Sequence, residues 1–301
     1  MRLAGTRMGR SLIIGTCAVL VAAVFTGAYK WASVQSGTTW TTVWFEKFPG
    51  AAGQPLGSRY WEYVTGSRGH SNGEVETMTD SPANVHLDGA GDLDITALKQ
   101  DGSWTSARIQ TTSLYGTPAG KETKVAALIR QPGPASGLGY WPAFWLLGPG
   151  QWPEDGEIDI MEDVDAASMV AGTLHCGNLS AANTDGTLGP CHEHKGLSSK
   201  LRQCPGCQAG YNIYSVIIDR RDPGNEQVTW YLDNRRFFAV SERQVGTAVW
   251  TRAVDHGFTI ILDLAVGGFY PDTRCGCITP TGRTSSGGTM SIRYVGVYER
   301  S

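Results

Sequence analysis

Charge is scarce in this chain: Asp, Glu, Lys and Arg make up 18% of its 301 residues, 25 bases against 28 acids. No cluster of Lys and Arg forms a basic stripe, which excludes a nucleic-acid partner on electrostatic grounds. Helical periodicity is also lacking, so helix is expected to be minor. No repeat recurs and no linker divides the chain, so a second folded domain is not expected. Only one apolar run is long, from 11 to 28, and Arg2, Arg7 and Arg10 precede it. It reads as a secretory leader cut near Ala28. At roughly 18 residues it also reaches the lower bound for a membrane span, and its leading positive charges would then hold the rest of the chain outside. Residues 1–35 are therefore expected to be a leader or anchor with a short spacer, and 36–301 the functional domain. The chain is expected outside the cell, or anchored to the outer face of its membrane if the leader is kept.

Glycine and tryptophan are abundant, with 39 and 10 copies. Short β-type runs occur at 42–45, 93–97, 124–130, 140–147, 169–174, 212–218, 228–232, 259–266 and 290–298, most of them separated by Gly, Pro, Asn or Asp. Many short strands without repeats predict an all-β sandwich of two antiparallel sheets. Six of the seven cysteines lie beyond the leader, which in an exported chain suggests three disulfides. Cys176–Cys191 is the natural local pair. The spans Cys204–Cys207 and Cys275–Cys277 are tight for internal bridges, which favours cross-pairing between them. A zinc site from Cys191, His192, His194, Cys204 and Cys207 is the rival arrangement.

The densest chemistry lies in Glu157-Ile158-Asp159-Ile160-Met161-Glu162. Side chains alternate along a strand, so Glu157 and Asp159 face one way and Ile158 and Ile160 the other. Strict alternation would send Glu162 into the core, an improbable place for an ionised carboxylate. A β-bulge near Ile160 or Met161 returns it to the acidic face. Three carboxylates on one face raise one another's proton affinity. Two carboxyls flanking a glycosidic bond, one ionised and one protonated, suffice to cleave it, and a third can hold the first in place. Retaining enzymes hold the pair about 5 to 5.5 Å apart, whereas positions four steps apart on a strand are about 13 Å apart. Only a concave sheet with inward-leaning side chains closes that gap.

The segment Trp152-Pro153-Glu154-Asp155-Gly156-Glu157-Ile158-Asp159-Ile160-Met161-Glu162 resembles the signature of glycoside hydrolase family 16, in the β-bulge form of laminarinase-like enzymes. Residues 141–148, 72–74, 104–109, 172–175, 230–233 and 264–268 resemble further family segments in the family's order, so the likeness spans roughly 40 to 299. It implies a concanavalin A-like β-jelly-roll sandwich and a secreted retaining endo-β-1,3-glucanase acting on β-glucan through a covalent intermediate. Glu157 would be the nucleophile, Glu162 the acid/base and Asp159 the assisting acid. Action on mixed-linkage glucan or a galactan, transfer to sugar instead of water, and a lectin-like protein without turnover are the alternatives. A monomer without cofactor is expected.

Trp141 and Trp145 share a face of their strand and are candidate sugar platforms, as is Trp152 on the loop ahead of the acids. Core packing is the alternative for each. His175 resembles the family histidine beside the acid/base, and Asn72 and Arg108 match positions that touch sugar hydroxyls. Two departures stand out. Many family members hold a calcium ion using an Asp in the last strand, where this chain has Arg293; Lys47 replaces a usual acid in the first. Two cations would repel a dication, so no metal is expected. Asp263 stands where the family often has Asn; if that position lines the cleft, it adds charge near the acids.

Overall fold

The computed structural model describes residues 39–67, 72–133, 136–180 and 182–301. The leader and spacer expected at 1–35 lie outside the described residues. Strand makes up 46% and helix 8%, in two antiparallel-dominated sheets facing each other across one core.

One sheet runs Arg235–Ser241, Gln227–Leu232, Asn212–Asp219, Glu122–Arg130, Gly288–Arg300, Leu93–Gln100, Ser103–Ser106 and Glu76–Met78. The other runs Leu197–Ser198, Met169–His175, Glu157–Glu162, Tyr140–Leu147, Gly257–Val266, Arg108–Thr111 and Trp61–Tyr63. Neighbours in space are mostly distant in sequence: Glu122–Arg130 sits between Asn212–Asp219 and Gly288–Arg300. This is the jelly-roll sandwich expected from the resemblance.

Alternation along each strand decides what is buried. Val125, Ala127 and Ile129 of one sheet join Phe144, Leu146, Ile158 and Ile160 of the other in a continuous core, all essentially inaccessible. Fully burying each larger side chain contributes about 1.5–3 kcal/mol. Because Phe144 and Leu146 point inward, Trp141 and Trp145 are left on the opposite face.

The cysteine expectation is corrected in part. Cys176 pairs with Cys191, but Cys204 pairs with Cys207 and Cys275 with Cys277. Tight turns make the internal bridges feasible. Cys207 N–H donates to the Cys204 carbonyl at 3.0 Å, and Gly276 takes a left-handed φ of 63°. The resulting Cα separations of 5.5 and 5.2 Å lie in the normal disulfide range. With its thiols paired, the alternative zinc site has no thiolate ligands left.

The residues at the family's calcium position do not fit that ion. Arg293 donates to both carboxylate oxygens of Asp92, at 2.8 and 3.0 Å, and its guanidinium lies 4.1 Å from the Tyr211 ring centre.

Candidate active site

The strand Glu157–Glu162 is flanked by Tyr140–Leu147 and Met169–His175, and both registers slip within it. Trp145 pairs with Asp159 but Phe144 with Met161. On the other side Asp159 pairs with Thr173 and Glu162 with Ala171. One extra residue is therefore accommodated at Ile160–Met161, opposite Gly172. Ile158, Ile160 and Met161 all enter the core, and Glu157, Asp159 and Glu162 are left to the other face.

The bulge is braced from the second sheet. The Trp230 indole N–H donates to the Asp159 carbonyl at 2.6 Å, satisfying a buried backbone acceptor beside the slip. Gly172 makes room for that indole, because a Cβ there would lie 2.4 Å from Trp230 Cδ1.

Each acid has a distinct setting. Glu162, 8% exposed, accepts the Trp141 indole N–H at 2.8 Å. Burial and then the charge of Asp159 push its pKa well up, against that hydrogen bond. Burial and the Asp159 charge likewise push Glu157 up to about 8, while the His175 charge pulls it down. His175 Nε2 lies 3.4 Å from Asp159 Oδ2 and 3.9 Å from Glu157 Oε1. Its Nδ1 lies 2.7 Å from Glu193 Oε2. Burial opposes charge on the ring, but hydrogen bonds to Asp159 and Glu193 carry its pKa well above the ordinary imidazole range.

The remaining candidates surround these acids. Arg108 pairs with Asp263 across neighbouring strands and stacks 4.7 Å from the Trp145 ring centre. The Trp145 indole donates to Asp263 at 2.6 Å. Burial raises Asp263 to about 6, with Arg108 opposing. Trp152 lies 5.6 Å from the His175 ring and stacks on His194 at 5.5 Å. Asn72 is exposed, and its amide groups donate to Glu74 at 3.0 and 3.3 Å. Its carbonyl meets Gly268 beside Trp141, where a Cβ would lie 3.0 Å from Asn72 O and 3.2 Å from Trp141 Cζ3. Sequence reasoning missed Glu193 and Tyr270. Tyr270 meets Trp141 edge-on at 5.7 Å.

Among the described residues, Glu157, Asp159 and His175 present atoms within 4.8 Å of one another, close enough for one cation. His175 is a poor ligand there, since both its ring nitrogens face carboxylates.

A two-sheet sandwich carrying a bulged strand with three clustered carboxylates defines a glycoside hydrolase. Residues 60–211 match the family model described as "XgeA-like, catalytic GH16 domain". The crystal structure of an endo-1,3-beta-glucanase from Streptomyces sioyaensis is similar at a TM-score of 0.79 and 36% identity, over 89% of this chain and 99% of that one. Glucan endo-1,3-beta-glucosidase A1 of Niallia circulans is 28% identical over 85% of this chain, which spans only 37% of that protein. The beta-glucanase of Rhodothermus marinus is 27% identical over 76% of each. The chain belongs to glycoside hydrolase family 16.

Proposed function

We propose that residues 36–301 are a retaining endo-hydrolase of β-1,3-glucan, exported behind the leader at 1–35. The observation that carries the reading is the bulge, because without it Glu162 would be lost to the core. Glu157 attacks the anomeric carbon while Glu162 protonates the departing glycosidic oxygen. The resulting glycosyl ester on Glu157 is hydrolysed by water that Glu162, now ionised, deprotonates. Asp159 lies between them on the strand, and its charge acts on both. Burial and Asp159 keep the proton on Glu162, as its acid role requires.

Trp141, Trp145 and Trp152 supply indole surface for sugar faces, and Asn72 and Arg108 supply donors to hydroxyls, while both ring nitrogens of His175 face carboxylates. The relatives' printed activities favour β-1,3 linkages. Three disulfides support an oxidising, extracellular setting. No helix among the described residues is long and apolar enough to cross a membrane.

Incubation with laminarin, lichenan, agarose and carrageenan, followed by product sizing, tests the reading. A ladder of short oligosaccharides from laminarin, appearing before free glucose, is expected. No release from any β-glucan would overturn it.

A further inference from the structure

Glu193 has no part in the chemistry above, yet it is placed with unusual care. It is 2% exposed. One carboxylate oxygen meets His175 Nδ1 at 2.7 Å and the other accepts the Cys176 backbone N–H at 3.0 Å. Its own backbone N–H and carbonyl both pair with Leu188, at 2.7 Å each. The Cys176–Cys191 disulfide ties the residue after His175 to a residue two before Glu193. Beyond it Gly196, at φ 65°, lies so close that a Cβ would sit 2.4 Å from Thr173 Cγ2 and 3.0 Å from His175 Cε1. A loop pinned at that many points is built to hold one side chain still.

We propose that Glu193 is a positioning residue: it orients the His175 ring and supplies the counter-charge that keeps an imidazolium facing Asp159 and Glu157. The role rests on the hydrolytic reading above. Carboxylates flank the ring on both sides, Glu193 at Nδ1 and Asp159 and Glu157 at Nε2. A ring that meets acceptors at both nitrogens is satisfied only when both carry protons. The other groups around it do not compete for these positions. Trp152 approaches with its ring, His194 is stacked on Trp152, and His192 is held by Thr187 and Asp185. Glu162 and Arg108 act on the cluster at longer range. The cation so held favours ionised Glu157, the state a nucleophile needs.

Glu193→Gln keeps the size of the side chain and removes its charge. Two opposite effects then reach Glu157. Direct repulsion from Glu193 is relieved, but the His175 cation, 3.9 Å away, is lost over the working pH range. The nearer charge dominates, so Glu157 becomes harder to ionise.

The experiment compares the wild-type chain with Glu193→Gln and Glu193→Asp by kcat/KM profiles on laminarin and by NMR titration of isotope-labelled His175. In Glu193→Gln the acid limb is expected to move up by about one pH unit and the imidazole pKa to fall by at least as much. The value of kcat should drop about tenfold with KM little changed, and Glu193→Asp should recover part of both. An unshifted imidazole titration, or lower activity with an unchanged profile, would overturn the proposal. If Glu193→Gln fails to fold, the wild-type titration decides: imidazolium persisting above neutral pH supports the role, and a ring neutral by pH 6 refutes it. The NMR readout needs no turnover, so an inactive wild-type chain would defeat the hydrolytic reading while His175 still reported on Glu193.

Discussion

At the residue scale, carboxylates can be read from sequence when their spacing conflicts with burial. Glu157, Asp159 and Glu162 stand out because apolar neighbours demand a core that an acid cannot share. Trp141 and Trp145 are legible for the same reason. Their period-two relation to Phe144 and Leu146 puts them on the acids' face, where each indole now donates to a carboxylate. Glu193 carries no such signal. It sits among polar loop residues, and only the fold of that loop back over His175 gives it meaning. Tyr270 is hidden in the same way, following Phe269 in a segment whose path along the cleft the sequence does not encode.

At the element scale, the nine runs read as strands are all strands, since they are long and rich in apolar or β-branched residues. The missed strands are short or polar. Trp61–Tyr63, Glu76–Met78 and Val85–Leu87 have three residues each, too few to show alternation, and Arg235–Ser241 opens on two arginines. The bulge was legible, but its brace was not, because Trp230 reaches it from the other sheet. That brace is testable. Trp230→Phe keeps the aromatic packing and leaves the Asp159 carbonyl without its donor, at a cost of about 1–3 kcal/mol in urea denaturation. If the brace sets the position of the acids, kcat on laminarin should fall tenfold to a hundredfold, on the order expected for a small misplacement. Lost stability with unchanged kcat would show that the brace serves folding alone.

At the scale of the whole molecule, the buried acids imply that stability falls as pH rises. Burial raises Glu76 to about 8, Asp163 to about 7 and Asp263 to about 6. Between their ordinary values, 4.5 for Glu and 3.8 for Asp, and these raised ones, the folded chain binds more protons than the unfolded chain. Unfolding then becomes easier with each step in pH. His175 acts in the same direction: its raised pKa adds stability below about 6.5 that is lost as the ring deprotonates in the folded state. The acids held low, Asp88, Asp155, Asp185 and Asp219, matter only below their ordinary 3.8. The urea midpoint should therefore be lower at pH 8.5 than at pH 5.5, by an amount equivalent to at least about 2 kcal/mol. A midpoint that rises across this interval would mean that these carboxylates are ionised without penalty.

The bulge matters to function only if it delivers Glu157 and Glu162 to one sugar linkage as nucleophile and acid. Mass mapping of the protein after incubation with a 2-fluoro laminaribioside bearing a good leaving group addresses that point directly. A single glycosyl adduct on the peptide containing Glu157, localised to that residue, is the expected result. Turnover of the reagent with no adduct, or an adduct on Asp159 or Glu162, would contradict it.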